Sequence, residues 1–166
     1  MICFGVKGAD ISIDGQENFE KLDMPAGQKL TSISLKNLDI NEQFWEKWNC
    51  FNFDVNSLAR LSFDSCSFEE EEEFEFLIEF KPLTLEITNS GISDKNLLGI
   101  MRYSDFYITE MILRSNSLGK NDEQFQQALM GISSKGGALE KLDVSGNNIK
   151  MSLRKKYRSI TIIIWE

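Results

Sequence analysis

LEKLDVSGNNI, residues Leu139–Ile149, alternates apolar side chains at Leu142 and Val144 and then runs into Ser145-Gly146-Asn147. Alternation followed by turn-forming residues reads as a short strand and its exit. Whether this stretch stands alone or is one copy of several decides the fold, because a missed internal repeat misplaces every later element. Four other segments align with it: LTSISLKNLDI (30–40), LARLSFDSCSF (58–68), PLTLEITNSGI (82–92) and ITEMILRSNSL (108–118). All five carry an apolar residue at their fourth, sixth and eleventh positions, an agreement hard to reach by chance in a chain that is 42% apolar.

The five starts are separated by 28, 24, 26 and 31 residues, room for one strand and one return segment each. The returns carry helical signatures. In NDEQFQQALMGISSKGG, Asn121 and Gln124 have capping-box spacing, Phe125, Ala128, Leu129 and Ile132 fall at i, i+3, i+4 and i+7, and Gly136-Gly137 supply a stop. NEQFWEKW sets Phe44, Trp48 and Phe51 on one stripe. SFEEEEEFEFLIEF opens with Ser67 and Glu70 at cap spacing and predicts Phe74, Leu77 and Phe80 as its buried face, and SDKNLLGIMRY predicts a shorter helix.

The pattern LxxLxLxx(N/C)xL, with strand and helix alternating at about 28 residues, resembles a leucine-rich repeat of the ribonuclease-inhibitor-like type over residues 30–149. That resemblance implies an α/β fold, a short right-handed solenoid arc with a parallel sheet on its concave side and helices on its convex side. The chain then divides as one domain, 1–166: an N-terminal cap or irregular first unit (1–29), about five repeats (30–149), and a C-terminal cap with a last strand (150–166). In the family the polar ninth side chain satisfies backbone groups in the turn after the strand, which implies a structural role for Asn116 and Asn147. Cys66 and Ser90 hold the same position in two further units, and Leu38 departs from it in the first.

Outside the repeats, ICFGV and DISID predict a β-hairpin or an extra strand over the first unit, followed by a turn of helix at ENFEKL. At the other end KMSLRKKYR reads as a short basic return and SITIIIW as a final strand. So apolar an end strand invites edge-to-edge pairing unless it is covered or guarded by the basic run, so self-association through it is an expectation.

Composition bounds the rest. With 18 basic against 26 acidic residues the net charge is −8, which disfavours nucleic acid and anionic membranes as partners. MICFGVKGAD is too short an apolar stretch for a signal peptide, and nothing approaches the roughly 20 apolar residues of a membrane helix. Cys3, Cys50 and Cys66 are an odd number without CxxC spacing, pointing to a reducing, cytoplasmic setting.

Catalytic signatures are sparse. The chain has no histidine, which removes the commonest general base, nucleophile activator and metal ligand together. It has neither a phosphate-binding GxxxxGK[ST] loop nor a GxGxxG turn. Asp10, Ser12, Asp14 and Gly15 match positions of a calcium loop, yet Lys21 stands where that loop needs a bidentate Glu, so strand and turn is the preferred reading and no metal or cofactor is expected. The acidic run Glu69–Glu73 reads as a solvated helix start, the cluster Lys150, Arg154, Lys155, Lys156 and Arg158 as a solvated end, and Trp45 with Trp48 as core and rim of the helical layer.

Stacked parallel strands would line up the alternate residues that point away from the core. The central column reads Ser34, Ser62, Glu86, Ile112 and Asp143. The column two residues later reads Lys36, Asp64, Thr88, Arg114 and Ser145, and the earlier one Ser32, Arg60, Thr84, Glu110 and Lys141. Signs alternate across this face, so it suits a protein or peptide better than a polyion. Either Lys36, Arg60, Asp64, Glu86, Glu110, Ile112, Arg114 and Asp143 contact a partner, or the charges among them pair across strands. The resulting expectation is a non-enzymatic protein-interaction module, an adaptor, scaffold or sensing domain. The alternatives are a structural segment of a larger or self-associating solenoid and, from another class, a carboxylate-based hydrolase.

Overall fold

The computed structural model describes residues 8–23, 27–56, 58–68, 74–103, 107–134, 139–157 and 162–166, with residues 132–134 as backbone alone. The N-terminal ICFGV, Cys3, the acidic run Glu69–Glu73, the Gly136-Gly137 stop, the Ile132 side chain and Arg158 lie outside that set.

Alternation of buried and open positions makes the strands. β1 (Ala9–Asp14), β2 (Leu30–Lys36), β4 (Arg60–Asp64), β6 (Thr84–Thr88), β7 (Glu110–Ile112), β8 (Lys141–Asp143) and β9 (Ile163–Ile164) form one seven-stranded sheet in chain order, every neighbouring pair parallel. The two omitted strands, β3 (Asp39–Ile40) and β5 (Ser67–Phe68), form a separate parallel pair. DISID is thus an extra strand parallel to β2, and the expected hairpin of ICFGV with DISID lies outside the described residues. Because Asp10, Ser12 and Asp14 sit on that extended strand, they spread over roughly 13 Å of backbone at ~3.3 Å per residue and do not curl around a cation.

Between the strands lie α1 (Gln16–Glu20), α2 (Glu42–Cys50), α3 (Leu77–Phe80), α4 (Asp94–Tyr103), α5 (Asp122–Ser134) and α6 (Met151–Lys156). Their starts are chemically marked. The Asn41 Oδ1 accepts from the Phe44 amide at 3.0 Å, the Asn121 Oδ1 from the Gln124 amide at 3.2 Å, and Ser93 and Asn96 cap each other reciprocally at 3.2 and 2.9 Å. Ser67 departs from the expected cap: it belongs to β5 and donates its hydroxyl to Asp39 Oδ1 at 2.6 Å, and α3 is only one turn long. Its predicted apolar face is correct, since Phe74, Leu77 and Phe80 are all buried. Among the described residues no helix is long and apolar enough to cross a membrane.

Fourteen of the fifteen aligned apolar side chains are buried, with Phe68 half-buried against Phe63 and Phe74. They share one apolar core with Phe44, Trp48, Leu97, Ile100, Phe125 and Leu129 of the helices. The helices therefore cover one face of the sheet and leave the other open.

Six of the seven strands of the large sheet exit the same way. Gly15, Asn37, Ser65, Asn89, Ser115 and Gly146 all have φ between 51° and 83°. The left-handed turn directs each amide at the carbonyl of the next strand's exit: Gly15 to Lys36 (2.9 Å), Asn37 to Asp64 (3.1 Å), Ser65 to Thr88 (3.0 Å), Asn89 to Arg114 (3.3 Å) and Ser115 to Ser145 (3.0 Å). Asn and Gly tolerate that conformation at least cost. At Gly146 space matters too, because a Cβ there would stand 2.8 Å from the Ser115 hydroxyl oxygen.

Candidate functional site

The open face is built by register. Ser32, Arg60, Thr84, Glu110 and Lys141 pair successively, as do Ser34, Ser62, Glu86, Ile112 and Asp143, and Lys36, Asp64 and Thr88. β1 adds Asp10, Ser12 and Asp14 to the same three columns. The first two columns read from sequence, and the third as far as Thr88, are therefore real neighbours, one strand spacing apart.

Most of the charges on this face are partnered by each other. Arg60 forms an ion pair with Glu86, Lys141 with Glu110, and Lys36 approaches Asp64 at 3.8 Å. Arg114 reaches Asp143 rather than Glu86 or Glu110, with Nε and Nη2 2.8 and 2.6 Å from the same carboxylate oxygen. The Arg60 and Arg114 side chains nevertheless stay 49% exposed, so each keeps donors for a second acceptor.

Two of the eight candidate residues are not at the surface. Asp143 is 1% exposed and Ile112 is 7% exposed. Burial pushes the Asp143 carboxyl up, but hydrogen bonds from Arg114 and from Ser145 outweigh it and leave its pKa below the usual carboxylate range. Asp143 thus anchors Arg114 from beneath. Asp64 is also lowered, chiefly by the hydrogen bond from Asn89 at 2.8 Å; partial desolvation opposes this, and Thr88 at 3.0 Å and Lys36 add to it.

Between the two N-terminal ion pairs the face sinks into a hollow of about 280 Å³, floored by Ser34 and Ser62 and walled by Lys36, Arg60, Asp64 and Glu86. Small hydroxyl side chains on β2 and β4 make the depression, and the longer charged ones on either side make its rim. The sequence held these residues but not the hollow. Its signal was the succession of serines at positions 32, 34 and 62 among larger neighbours.

Asp64 and Glu86 both face this hollow, and the lowered pKa of Asp64 keeps that carboxylate ionised and unsuited to the part of a general acid. Among the described residues no group of three or more Asp, Glu or Cys side chains is placed to hold a metal ion. Cys66 is buried and its thiol is pushed up to about 11, mainly by desolvation, so it is no nucleophile at neutral pH.

Behind the face, the ninth-position side chains tie the turns together. The Asn147 Oδ1 accepts from the Asn116 and Leu118 amides at 3.0 and 3.1 Å, while its Nδ2 donates to the Leu113 and Val144 carbonyls at 2.7 and 2.8 Å. Asn116 repeats the arrangement one strand earlier, accepting from Ser90 and Ile92 at 3.0 and 3.2 Å and donating to Ile87 and Arg114 at 2.7 and 3.1 Å. Ser90 does half of this, accepting from the Cys66 amide at 3.1 Å. A second carboxylate tie was not foreseen: buried Asp94 accepts from the Gly119 and Asn121 amides at 2.6 and 2.7 Å, fixing the approach to α5.

Comparison with protein-family models, with curated proteins and with solved structures gives no match.

Proposed function

We propose that the chain is a leucine-rich-repeat solenoid of the ribonuclease-inhibitor-like type, working as a non-enzymatic module that binds a protein or peptide on its concave sheet face. The observation that carries this reading is the open face itself: three columns of small polar and charged side chains, with the half-exposed Arg60 and Arg114 on the sheet and a serine-floored hollow beside Arg60. The five aligned segments, the left-handed strand exits and the ties at Asn116 and Asn147 support the repeat assignment. Parallel strands joined through helical returns are right-handed in nearly all folds, which gives the arc its hand.

The hollow suits an acidic or hydroxyl-bearing side chain or a peptide carboxylate. Arg60 and Lys36 supply charge, and Ser34 and Ser62 supply hydroxyls. Arginine at a partly enclosed spot is a common source of binding energy. A cytoplasmic setting belongs to the same reading, supported by the unpaired thiols of Cys50 and Cys66.

The test is a pull-down from cytosolic extract with the wild-type chain beside Ser34→Tyr/Arg60→Ala, which fills the hollow and removes its guanidinium while leaving the Arg114–Asp143 pair intact. A partner that the wild type retains and the variant loses by tenfold or more, about 1.4 kcal/mol, supports the concave-face site. Equal recovery on both sinks it, provided circular dichroism shows the variant folded.

A further inference from the structure

Among the described residues the two outer strands of the sheet are each paired on one side alone, matched in hydrogen-bond pattern and opposite in charge. Among the described residues β1 pairs only with β2, and β9 only with β8. On β9 the Ile162 and Ile164 carbonyls accept from the Leu142 and Val144 amides at 2.8 and 2.9 Å. The alternation of a parallel ladder therefore turns the N–H and C=O groups of Ile163 and Trp165 outward. On β1 the Gly15 amide points at the Lys36 carbonyl, so by the same alternation Asp10, Ser12 and Asp14 present their backbone groups to the outside.

The register shared by all seven strands runs Ile11, Ile33, Leu61, Leu85, Met111, Leu142, Ile163. Adding β1 of a second copy to β9 in that register sets Ile11 beside Ile163 and continues the apolar column without a break. Charge points the same way. Among the described residues the β1–α1 end exposes Asp10, Asp14, Glu17, Glu20 and Asp23 against Lys21, which pairs with Glu17, and Lys47, which reaches the Glu20 carbonyl from α2. The α6 end carries Lys150, Arg154, Lys155 and Lys156; Lys150 pairs with Asp122 at 2.9 Å and Arg154 with Glu166 at 3.6 Å, which leaves Lys155 and Lys156 to give this end its net positive charge in a chain whose net charge is −8. Beside α6 and β9 lies a hollow of about 600 Å³ lined by Met151, Arg154, Lys155, Ile163, Ile164, Trp165 and Glu166, with Met151 59% and Ile164 37% exposed.

We propose that this protein associates head to tail, the basic α6–β9 end of one copy receiving the acidic β1–α1 end of the next, β9 to β1 in parallel. Such a contact joins two different surfaces, so it propagates into rings or filaments instead of stopping at a dimer. It leaves the open face free and does not depend on what that face binds.

Sedimentation velocity of the full chain over a range of concentration and salt tests this. The expected result is a mass that rises with protein concentration and falls with salt, since the contact is charge-steered. Lys155→Glu/Lys156→Glu and Glu17→Lys/Glu20→Lys each weaken association about tenfold or more, and the two variants mixed regain it, because each reversed end now complements one end of the other protein. A wild type that stays monomeric at every concentration overturns the proposal. So does association that neither variant weakens, or a mixture that fails to regain it.

Discussion

The two halves of this molecule fasten the same backbone by different means. From Phe19 to Phe80 the helical layer is aromatic: Phe44 stacks on Phe19 at 4.5 Å and on Trp48 at 5.8 Å, and Trp45 stacks on Phe76 at 4.7 Å. Beyond that, the one ring pair among the described residues is Phe125 with Trp165 at 6.5 Å, and the turns are bound by Asn116 and Asn147. The backbone accounting explains the division. Where a carboxamide is present it satisfies the turn amides of the preceding unit. Where Cys66 and Leu38 stand instead, the β3–β5 ladder and the Ser67 amide bond to Leu38 at 3.0 Å take over. The Cys66 thiol lies 3.5 and 3.6 Å from the Leu35 and Asp64 carbonyls and contributes only weak donation.

The sharpest way to break this contrast is to empty the aromatic layer. Phe44→Ala removes a fully buried ring stacked on two others and is expected to cost about 4 kcal/mol. Phe125→Ala, equally buried but with one distant ring neighbour, should cost closer to 3 kcal/mol. Urea unfolding of both variants gives the difference; equal losses would mean that ring stacking adds nothing to burial in the N-terminal half.

Next in size is the carboxamide tie. Asn147→Ala strands two amides and two carbonyls in a buried turn and should cost about 3 kcal/mol, the half-buried Asn116→Ala about 2, and Cys66→Ala about 1. The order is what matters. Chemical denaturation that ranks Cys66→Ala level with Asn147→Ala removes the distinction between the halves.

A smaller effect sharpens the role of Leu38. Before it, β1 turns straight into α1 at Gly15, leaving no wide turn whose amides an asparagine could receive. Placing at Leu38 the carboxamide that Asn116 and Asn147 carry, by Leu38→Asn, should therefore destabilise, by about 2 kcal/mol, because a buried apolar side chain becomes an under-partnered amide. A gain in melting temperature would show that the first turn does have groups to satisfy.

The smallest expected effect is on pH dependence. Asp143 and Asp64 titrate below their unfolded values, so their stabilisation is fully present above about pH 4 and is lost as pH falls through their lower folded pKa values. Asp143→Asn should flatten the acid limb of the stability curve followed by circular dichroism. An unchanged acid limb would remove the Arg114–Asp143 pair as its cause.

Much of the architecture was legible because burial has a period. Leu142 and Val144, and their counterparts in four other segments, announced strands by alternation, and Phe125, Ala128 and Leu129 announced a helix by spacing. The columns of the open face followed from the same alternation. Besides the serine-floored hollow and the Asp94 tie, three things escaped. Ser67 resembled a cap but joins β5, since local hydrogen-bond chemistry cannot tell a cap from a strand end when a neighbouring strand competes for it. The six left-handed exits were hidden behind varied small residues, Gly, Asn and Ser. Asp143 and Ile112, placed on the open face by alternation, sink below it where β7 and β8 pair closely and Arg114 folds across.

The sequence by itself determined which residues alternate, which returns coil and which side chains face away from the core, because these depend on spacing along a single strand or helix. Only the tertiary structure decided which charges meet. Arg60 and Glu86 are 26 residues apart, and Arg114 and Asp143 are 29 apart. An ion pair depends on a few ångströms of approach between side chains on different strands, a distance set by register, by neighbouring side-chain size and by burial together.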